Sequence, residues 1–315
     1  MDSLLLVYGT TAVLALIPAI YLVLVLLSPP PIVTLPSEKT YRSKASQKPL
    51  PLPSLADPGS VDLSVIIPAY NETNRLPSML ETTLTHLNSS DSNSSRTYEI
   101  LIVDDGSKDD TSALALKLAR QYAQSDIRVI TLEKNLGKGG AVRHGMLHGQ
   151  GDRLLMVDAD GASRFEDLEQ LWAAMDEIAP QNEPAVAIGS RAHLVKTEAV
   201  VKRSLLRNIL MYGLHTILRI VGVGHIRDTQ CGFKLFTRPA AQKIFPAQHL
   251  ATWIFDVELL LLAKQLSIPV AEVPIEWHEV AGSKLNIVKD SLQMLRDLMV
   301  LRGNQLVGRW KAASS

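Results

Sequence analysis

Arg153-Leu154-Leu155-Met156-Val157-Asp158-Ala159-Asp160 runs a short apolar segment directly into two carboxylates spaced two residues apart. An apolar run of this length, bounded by polar residues, reads as a strand buried on both faces. In extended backbone, positions i and i+2 share a side, so Asp158 and Asp160 are expected to project together from the strand's carboxyl end. Two such charges about 5 Å apart repel by roughly 3 kcal/mol at an effective dielectric near 20. A divalent cation relieves that repulsion, and hard oxygen donors select Mg²⁺ or Mn²⁺, with diphosphate oxygens and water completing the shell.

Outward from this strand, similar apolar segments recur at Leu63–Ile67, Tyr98–Val103, Arg128–Leu132 and Ala185–Ile188, with helical periodicity between most of them. The alternation predicts an α/β fold with a mostly parallel sheet flanked by helices. Tyr70-Asn71-Glu72 and Asp104-Asp105-Gly106-Ser107 follow two of these segments as Asp158-Ala159-Asp160 follows a third. Ligands of open α/β sheets bind at the carboxyl ends of strands, so the three clusters predict one nucleotide crevice. No Gly-X-Gly-X-X-Gly follows the first strand, and Gly137-Lys138-Gly139-Gly140 lacks Walker spacing. Asp104 has two compatible readings: a turn cap, or an acceptor for base or ribose hydrogens. Tyr70 likewise reads as a packing residue or a base contact.

The 315 residues, 46% of them hydrophobic, suffice for one large catalytic domain and an anchor. Equal numbers of basic and acidic residues, 32 each, give no field that would favour nucleic acid. The lone Cys231 excludes an internal disulfide and reads as a small buried residue. Leu4–Leu27 contains no charged side chain and spans roughly 36 Å as a helix, enough to cross a bilayer. Residues 1–27 are thus expected to be a single transmembrane anchor, and residues 28–61 a Pro/Ser/Lys-rich extended linker. Lys39, Arg42, Lys44 and Lys48 follow the anchor whereas only Asp2 precedes it, which predicts a cytosolic catalytic domain and leaves the sequons at Asn71, Asn88 and Asn93 unmodified. The catalytic domain is expected over residues 62–284, with an amphipathic helix and tail over 285–315.

Ile67-Pro68-Ala69-Tyr70-Asn71-Glu72, Asp104-Asp105-Gly106-Ser107, Asp158-Ala159-Asp160 and Gln230-Cys231-Gly232-Phe233-Lys234 occur in the order found in family 2 inverting glycosyltransferases of GT-A fold, which the chain resembles. Gly137–Arg143, Gly189-Ser190-Arg191-Ala192-His193, Trp253–Glu258 and Trp277-His278-Glu279-Val280 narrow the resemblance, over about Leu63 to Arg302, to the dolichyl-phosphate β-glucosyltransferases of the endoplasmic reticulum membrane. The resemblance implies UDP-glucose as donor, dolichyl phosphate as acceptor and a β-linked glucosyl phosphate lipid as product. It also implies that Pro68, Tyr70, Glu72 and Asp104 line the uridine pocket, that Lys138 lies near it, and that Asp158 and Asp160 present the metal.

A phosphate monoester, with a second pKa near 6, is already anionic at neutral pH and needs no strong base. Asp256 is therefore expected to contact metal or substrate, as its counterpart does in related phosphate-acceptor enzymes, rather than to deprotonate the acceptor. Lys202, Arg203 and Arg207 lie in residues 200–223, whose leucines and isoleucines recur at helical spacing. That segment reads as a membrane-interface helix offering cations to lipid phosphate, or as an ordinary core helix. Arg191, Lys234 and Lys284 are further phosphate candidates, Lys284 (in Gly282-Ser283-Lys284-Leu285) on the donor side, and His278 reads as a structural hydrogen-bonding residue. The rival reading within the same fold is a mannosyltransferase using GDP-mannose; from another class, the rival is a catalytically silent membrane adaptor.

Overall fold

The computed structural model describes residues 16–44, 46–89, 96–196, 226–280, 282 and 287–312. Nine strands form one sheet: β1 Thr40–Ser43, β2 Ser46–Pro51, β3 Val61–Ala69, β4 Tyr98–Asp104, β5 Ile127–Thr131, β6 Gly151–Val157, β7 Val186–Ser190, β8 Phe233–Thr237 and β9 Val270–Pro274, in the order β2-β1-β5-β4-β3-β6-β8-β7-β9. The central pairs β5–β4, β4–β3 and β3–β6 are parallel, and β8 inserts antiparallel between β6 and β7. The strands expected from apolar runs are thus present within a residue or two. β8 and β9 went unforeseen because β8 carries Lys234 and β9 carries Glu272, which broke the apolar pattern.

The helices are α1 (residues 16–27), α2 Leu76–Leu87, α3 Thr111–Gln121, α4 Lys138–Met146, α5 Leu168–Ile178, α6 Arg238–Ile244, α7 Phe255–Gln265 and α8 Ile287–Leu306. One apolar core lies between the sheet and α2, α3 and α5, where Met79, Leu80, Leu118, Leu171 and Met175 meet Val65, Ile67 and Ile102. The second lies on the opposite face under α4, α6, α7 and α8, built from Ile66, Val103, Met156, Phe236, Phe245, Phe255 and Leu298. Alternate residues of β3, Val65 and Ile67 against Ile66, thereby enter opposite cores, as the two-residue strand period requires.

Residues 28–61 are not an extended linker. The β1–β2 hairpin adds to the sheet through Arg42 and Ser43, which pair antiparallel with Val129 and Arg128. The Glu38 carboxylate accepts the Glu133 N–H at 3.0 Å, and the Glu38 carbonyl accepts from His144 Nε2 at 2.9 Å. Burial pushes the His144 imidazole down to about 4, so the ring is neutral and the proton sits on the donating nitrogen. Arg238 binds the carbonyls of Leu55, Gly149 and Gly151, each at 3.0 Å. Backbone groups make these attachments, so a Pro/Ser/Lys-rich composition did not betray them.

Of the expected anchor, residues 1–15 lie outside the described residues, and 16–27 form α1. Among the described residues no helix is long and apolar enough to cross a membrane. Leu24 packs against the second core, and Ser28 Oγ accepts from Asn304 Nδ2 of α8 at 2.9 Å. The expected C-terminal helix is present as α8, whose Met294, Leu298, Val300 and Leu301 are core residues.

Candidate active site

The carboxyl ends of β3, β4 and β6 bring the three polar clusters to one edge, because these strands are adjacent and parallel. After β3, Asn71 takes a positive φ of 53°, which turns the chain into α2. Its N–H donates to Ser107 Oγ at 2.9 Å, and its side-chain oxygen accepts the Lys108 N–H at 2.8 Å, tying this turn to the one after β4. Glu72 is buried, donates its N–H to Thr111 Oγ1 at 2.8 Å, and holds Arg75 through paired contacts at 2.7 and 2.5 Å. Pro68 and Tyr70 are half-buried on the same edge.

The two aspartates after β4 divide the work. Asp104 accepts the Ser107 N–H at 2.9 Å and the Ser112 hydroxyl, so the turn-capping reading describes its contacts within the chain. Asp105 reaches across to accept the N–H groups of Leu136 at 2.7 Å and Gly137 at 2.9 Å. Burial drives the Asp105 carboxyl up to about 7 despite those two donors. Gly137 has a φ of +95° and lies against the Ala251 carbonyl, a conformation and a closeness that a side chain would not allow. Asp105 and Gly137 together set the first residue of α4, which is Lys138.

Lys138 reaches Asp158, with Nζ 2.6 Å from Oδ1 and 6.0 Å from the centre of the Trp253 ring. Burial alone would lower the Lys138 ammonium, but Asp158 and Asp256 outweigh it and hold it above lysine's ordinary range. Asp158 also presses on the backbone of Gly232, where a Cβ would collide with its carboxylate. Asp256, in the first turn of α7, is buried and ion-paired with Lys234. Burial shifts the Asp256 carboxyl upward, against the pull of Lys234 and Lys138. The result is an alternating row of charges: Asp158, Lys138, Asp256 and Lys234.

Asp160 faces elsewhere. Its Oδ1 accepts the Ala162 N–H at 3.0 Å, and it lines a cavity of about 540 Å³ with Arg75, Met79, Phe165, Trp277 and His278. Burial and the neighbouring Asp158 charge raise the Asp160 carboxyl above its ordinary range, with Lys138 and Arg75 pulling the other way.

Several expected roles change with this geometry. Lys234 is fully buried and bonded to the Cys231 carbonyl at 2.6 Å as well as to Asp256, so it cannot meet an incoming lipid phosphate. Arg191 is engaged by Asp228 through Nε at 2.6 Å and Nη2 at 2.8 Å, and stands 5.4 Å over the Trp277 ring. Among the described residues no three His, Cys, Asp or Glu side chains converge as a metal cluster, and Asp256, expected beside Asp158 and Asp160 at the metal, is paired with Lys234. Lys202, Arg203, Arg207 and Lys284, and the whole of residues 200–223, lie outside the described residues. Sequence reasoning passed over Arg75 and Asp228, and it placed Asp105 in a strand-end cluster without a role of its own. A basic residue three positions after Glu72, at the start of a helix, was a legible signal for the first; the other two act through partners more than 30 residues away.

Residues 64–245 match the family model described as glycosyl transferase family 2. The chain is 47% identical over 279 residues to the dolichyl-phosphate beta-glucosyltransferase of Drosophila melanogaster, covering 88% of this chain and 85% of that protein. It is 46% identical over 276 residues to the Homo sapiens protein of the same name, covering 87% and 85%, and 45% identical over 316 residues to that of Saccharomyces cerevisiae, covering 96% and 94%. Among solved structures it is similar to glucosyl-3-phosphoglycerate synthase from Mycobacterium tuberculosis in complex with UDP, with a TM-score of 0.53 at 16% identity, covering 80% of this chain and 88% of that one. The same enzyme with Mn²⁺ and UDP-glucose gives a TM-score of 0.52 at 16% identity, covering 78% and 80%. The likeness to these structures is one of fold, the GT-A arrangement of a central sheet with flanking helices.

Proposed function

Since the chain belongs to glycosyl transferase family 2 and, within it, to the dolichyl-phosphate β-glucosyltransferases, we propose that it transfers glucose from UDP-glucose to dolichyl phosphate with inversion, giving dolichyl β-glucosyl phosphate. The observation that carries this reading is identity of 45–47% to three proteins of that name along most of both chains. We further read residues 1–27 as a membrane anchor, the membrane as that of the endoplasmic reticulum, and the catalytic domain as cytosolic.

The acceptor oxygen carries its own negative charge, so the site needs electrostatic guidance rather than a base. The chain's residues suit that task. Asp256 is already committed to Lys234, which makes it an anchor for the charge row and not a proton acceptor. Lys138, at the start of α4, stands where a departing diphosphate can draw on its ammonium, and the Asp105 carboxylate fixes the loop that delivers it. Asp160 and Asp158 fit a hard divalent cation: two carboxylates close enough for one to raise the other, with Asp160 free of any ion pair among the described residues. Mg²⁺ or Mn²⁺ held there would act as a Lewis acid on the leaving diphosphate, in keeping with the metal and UDP found in the solved structures of like fold. Pro68, Tyr70, Glu72 and Asp104 remain the uridine-pocket residues of this reading.

The test is direct. Detergent-solubilised protein is given dolichyl phosphate with either UDP-glucose or GDP-mannose, and the lipid product is identified. Glucosyl lipid from UDP-glucose is expected; a preference for GDP-mannose sinks the assignment in favour of mannosyl transfer, and no product from either donor favours the silent adaptor.

A further inference from the structure

Glu272, in the edge strand β9, gathers hydrogen-bond donors from two separate segments of the chain. The Ser190 hydroxyl, at the end of β7, donates to its Oε1 at 2.6 Å. The Arg227 N–H is shared between both carboxylate oxygens at 3.1 Å, and the Asp228 N–H meets Oε1 at 3.0 Å. All three partners are donors. A carboxylate, which only accepts, suits that set; an amide would turn its own N–H groups toward them.

The next link is Asp228. It is buried, and it accepts from the Arg191 N–H at 2.9 Å, from Nε at 2.6 Å and from Nη2 at 2.8 Å. The guanidinium is thus gripped along one edge while it stands 5.4 Å over the Trp277 ring. Nη1 takes no hydrogen-bond partner among the described residues, and the Arg191 side chain is 32% exposed, so its other edge remains for a ligand. Burial lowers the pKa of the guanidinium, but the bonds to Asp228 outweigh it, and the neighbouring Asp158 charge adds to them.

Strand order says which substrate meets that free edge. β8 is antiparallel to both β6 and β7, so β6 and β7 end at the same side of the sheet, and Arg191 follows β7 as Asp158 follows β6. β7 lies two strands beyond β6, away from β3 and β4, whose ends carry the nucleotide-side residues. Inversion brings the acceptor oxygen to the sugar carbon from the side opposite the departing diphosphate. The acceptor phosphate therefore approaches from the β7 side, where it meets Arg191.

We infer that Glu272 is a positioning residue for the acceptor: it fixes the backbone of Arg227 and Asp228 against Ser190, and through Asp228 it aims the Arg191 guanidinium at the lipid phosphate. Glu272 acts only through these partners. The inference rests on the glucosyl-transfer reading above and extends it to a residue outside the site. A guanidinium held in advance at one edge loses little freedom on meeting a phosphate at the other, so the arrangement favours acceptor binding.

Steady-state kinetics of the full chain in detergent, with dolichyl phosphate and UDP-glucose varied separately, test this. Glu272→Gln sets an amide against the donors of residues 227 and 228. The KM for dolichyl phosphate is expected to rise about tenfold, while the KM for UDP-glucose and the calorimetric affinity for UDP hold. A lower kcat at unchanged acceptor KM, the mark of a smaller folded fraction, overturns the inference. The decisive comparison is a double-mutant cycle with Arg191→Met. Once the guanidinium is gone Glu272 has nothing to aim, so adding Glu272→Gln should change the acceptor KM by less than about twofold. Effects that multiply in the double variant overturn the inference. If Glu272→Gln does not fold, Ser190→Ala decides, since it removes one donor to Glu272 and no charge: a rise of about twofold in acceptor KM is expected, and no rise overturns the inference. A parent protein that makes no glucosyl lipid removes the transfer reading and the inference together. A parent that does make it, with an acceptor KM indifferent to Glu272→Gln, removes the inference alone.

Discussion

Asp158 and Asp160 leave the same strand two residues apart and open onto regions of different electrical character. On the Asp158 side, Asp158, Lys138, Asp256 and Lys234 alternate in sign, each carboxylate already matched by a lysine. On the Asp160 side, the carboxylate is stabilised by one backbone N–H and feels Arg75 only at a distance, because Arg75 is held by Glu72. The difference shows how a single Asp-X-Asp triplet separates two tasks. The first carboxylate organises the chain's own cations as well as facing the metal; the second has a counter-charge that must arrive with the ligand.

The sharpest way to break this comparison is to delete each carboxylate in turn. Asp160→Ala is expected to lower transfer at least about a thousandfold, roughly 4 kcal/mol of transition-state stabilisation, because metal-assisted departure of the diphosphate is lost. The variant should fold, since only the Ala162 contact goes with it. Its Mn²⁺-dependent thermal shift with UDP should vanish. Asp158→Ala should weaken that shift as well and, unlike Asp160→Ala, lower the melting temperature without ligand, because Lys138 loses its nearest partner. If Asp158→Ala abolishes the Mn²⁺ shift and Asp160→Ala keeps it, the two roles are reversed.

A second break targets the matched side alone. Lys234→Met leaves Asp256 buried without its ion-pair partner, which costs about 3 kcal/mol of stability. Combining it with Asp256→Leu should recover most of that loss while transfer stays impaired. Chemical denaturation of the two variants decides the matter: a Lys234→Met protein as stable as the parent would mean that Asp256 is neutral in the fold and that the charge row is not a row.

The triplet itself was plain in the sequence, and so were five strands and the edge they define, since two-face burial writes itself as uninterrupted apolar runs. What could not be read was which way each carboxylate faces. The i, i+2 rule placed both on one side of a strand, but β6 ends at Val157, and the turn at Gly161, with a φ of +72°, carries Asp160 toward α2. Lys234 looked like a phosphate ligand because a lysine in a polar motif is ordinarily exposed; only the pairing of β8 between β6 and β7 buries it. The β1–β2 hairpin stayed hidden for the opposite reason, its attachment running through carbonyls and a neutral histidine rather than through apolar side chains.

The matched side should also carry a pH signature, through the loop that delivers Lys138. The Asp105 carboxyl is raised by burial to about 7, well above its unfolded value, so the fold favours the protonated acid. The stability this group contributes is complete below an unfolded pKa near 3.9 and is lost as pH climbs toward 7. Between pH 5 and 8 the parent protein should lose roughly 2 kcal/mol relative to Asp105→Asn, whose side chain does not titrate. Urea midpoints of both proteins at the two pH values measure it. A parent that gains stability over that range would show that the Leu136 and Gly137 donors keep the carboxylate ionised, and that the loop is held by charge.

The smallest expected effect tests the unmatched side most finely. Arg75 lies on the cavity wall beside Asp160 and is paired with the buried Glu72. Removing it in Arg75→Met leaves that carboxylate short of a partner and should cost about 2 kcal/mol of stability. Its charge nevertheless acts on Asp158 and Asp160, and withdrawing that charge alters how an anionic donor is held more than how it reacts. The expected outcome is a KM for UDP-glucose about tenfold higher at nearly constant kcat, the pattern of uniform binding lost. Arg75→Lys keeps the charge but not the two-pronged grip on Glu72, so it should fall between the two. A fall in kcat with KM unchanged would instead mean that Arg75 acts only once the diphosphate begins to leave, and the Asp160 side would then hold a second cation working in the transition state.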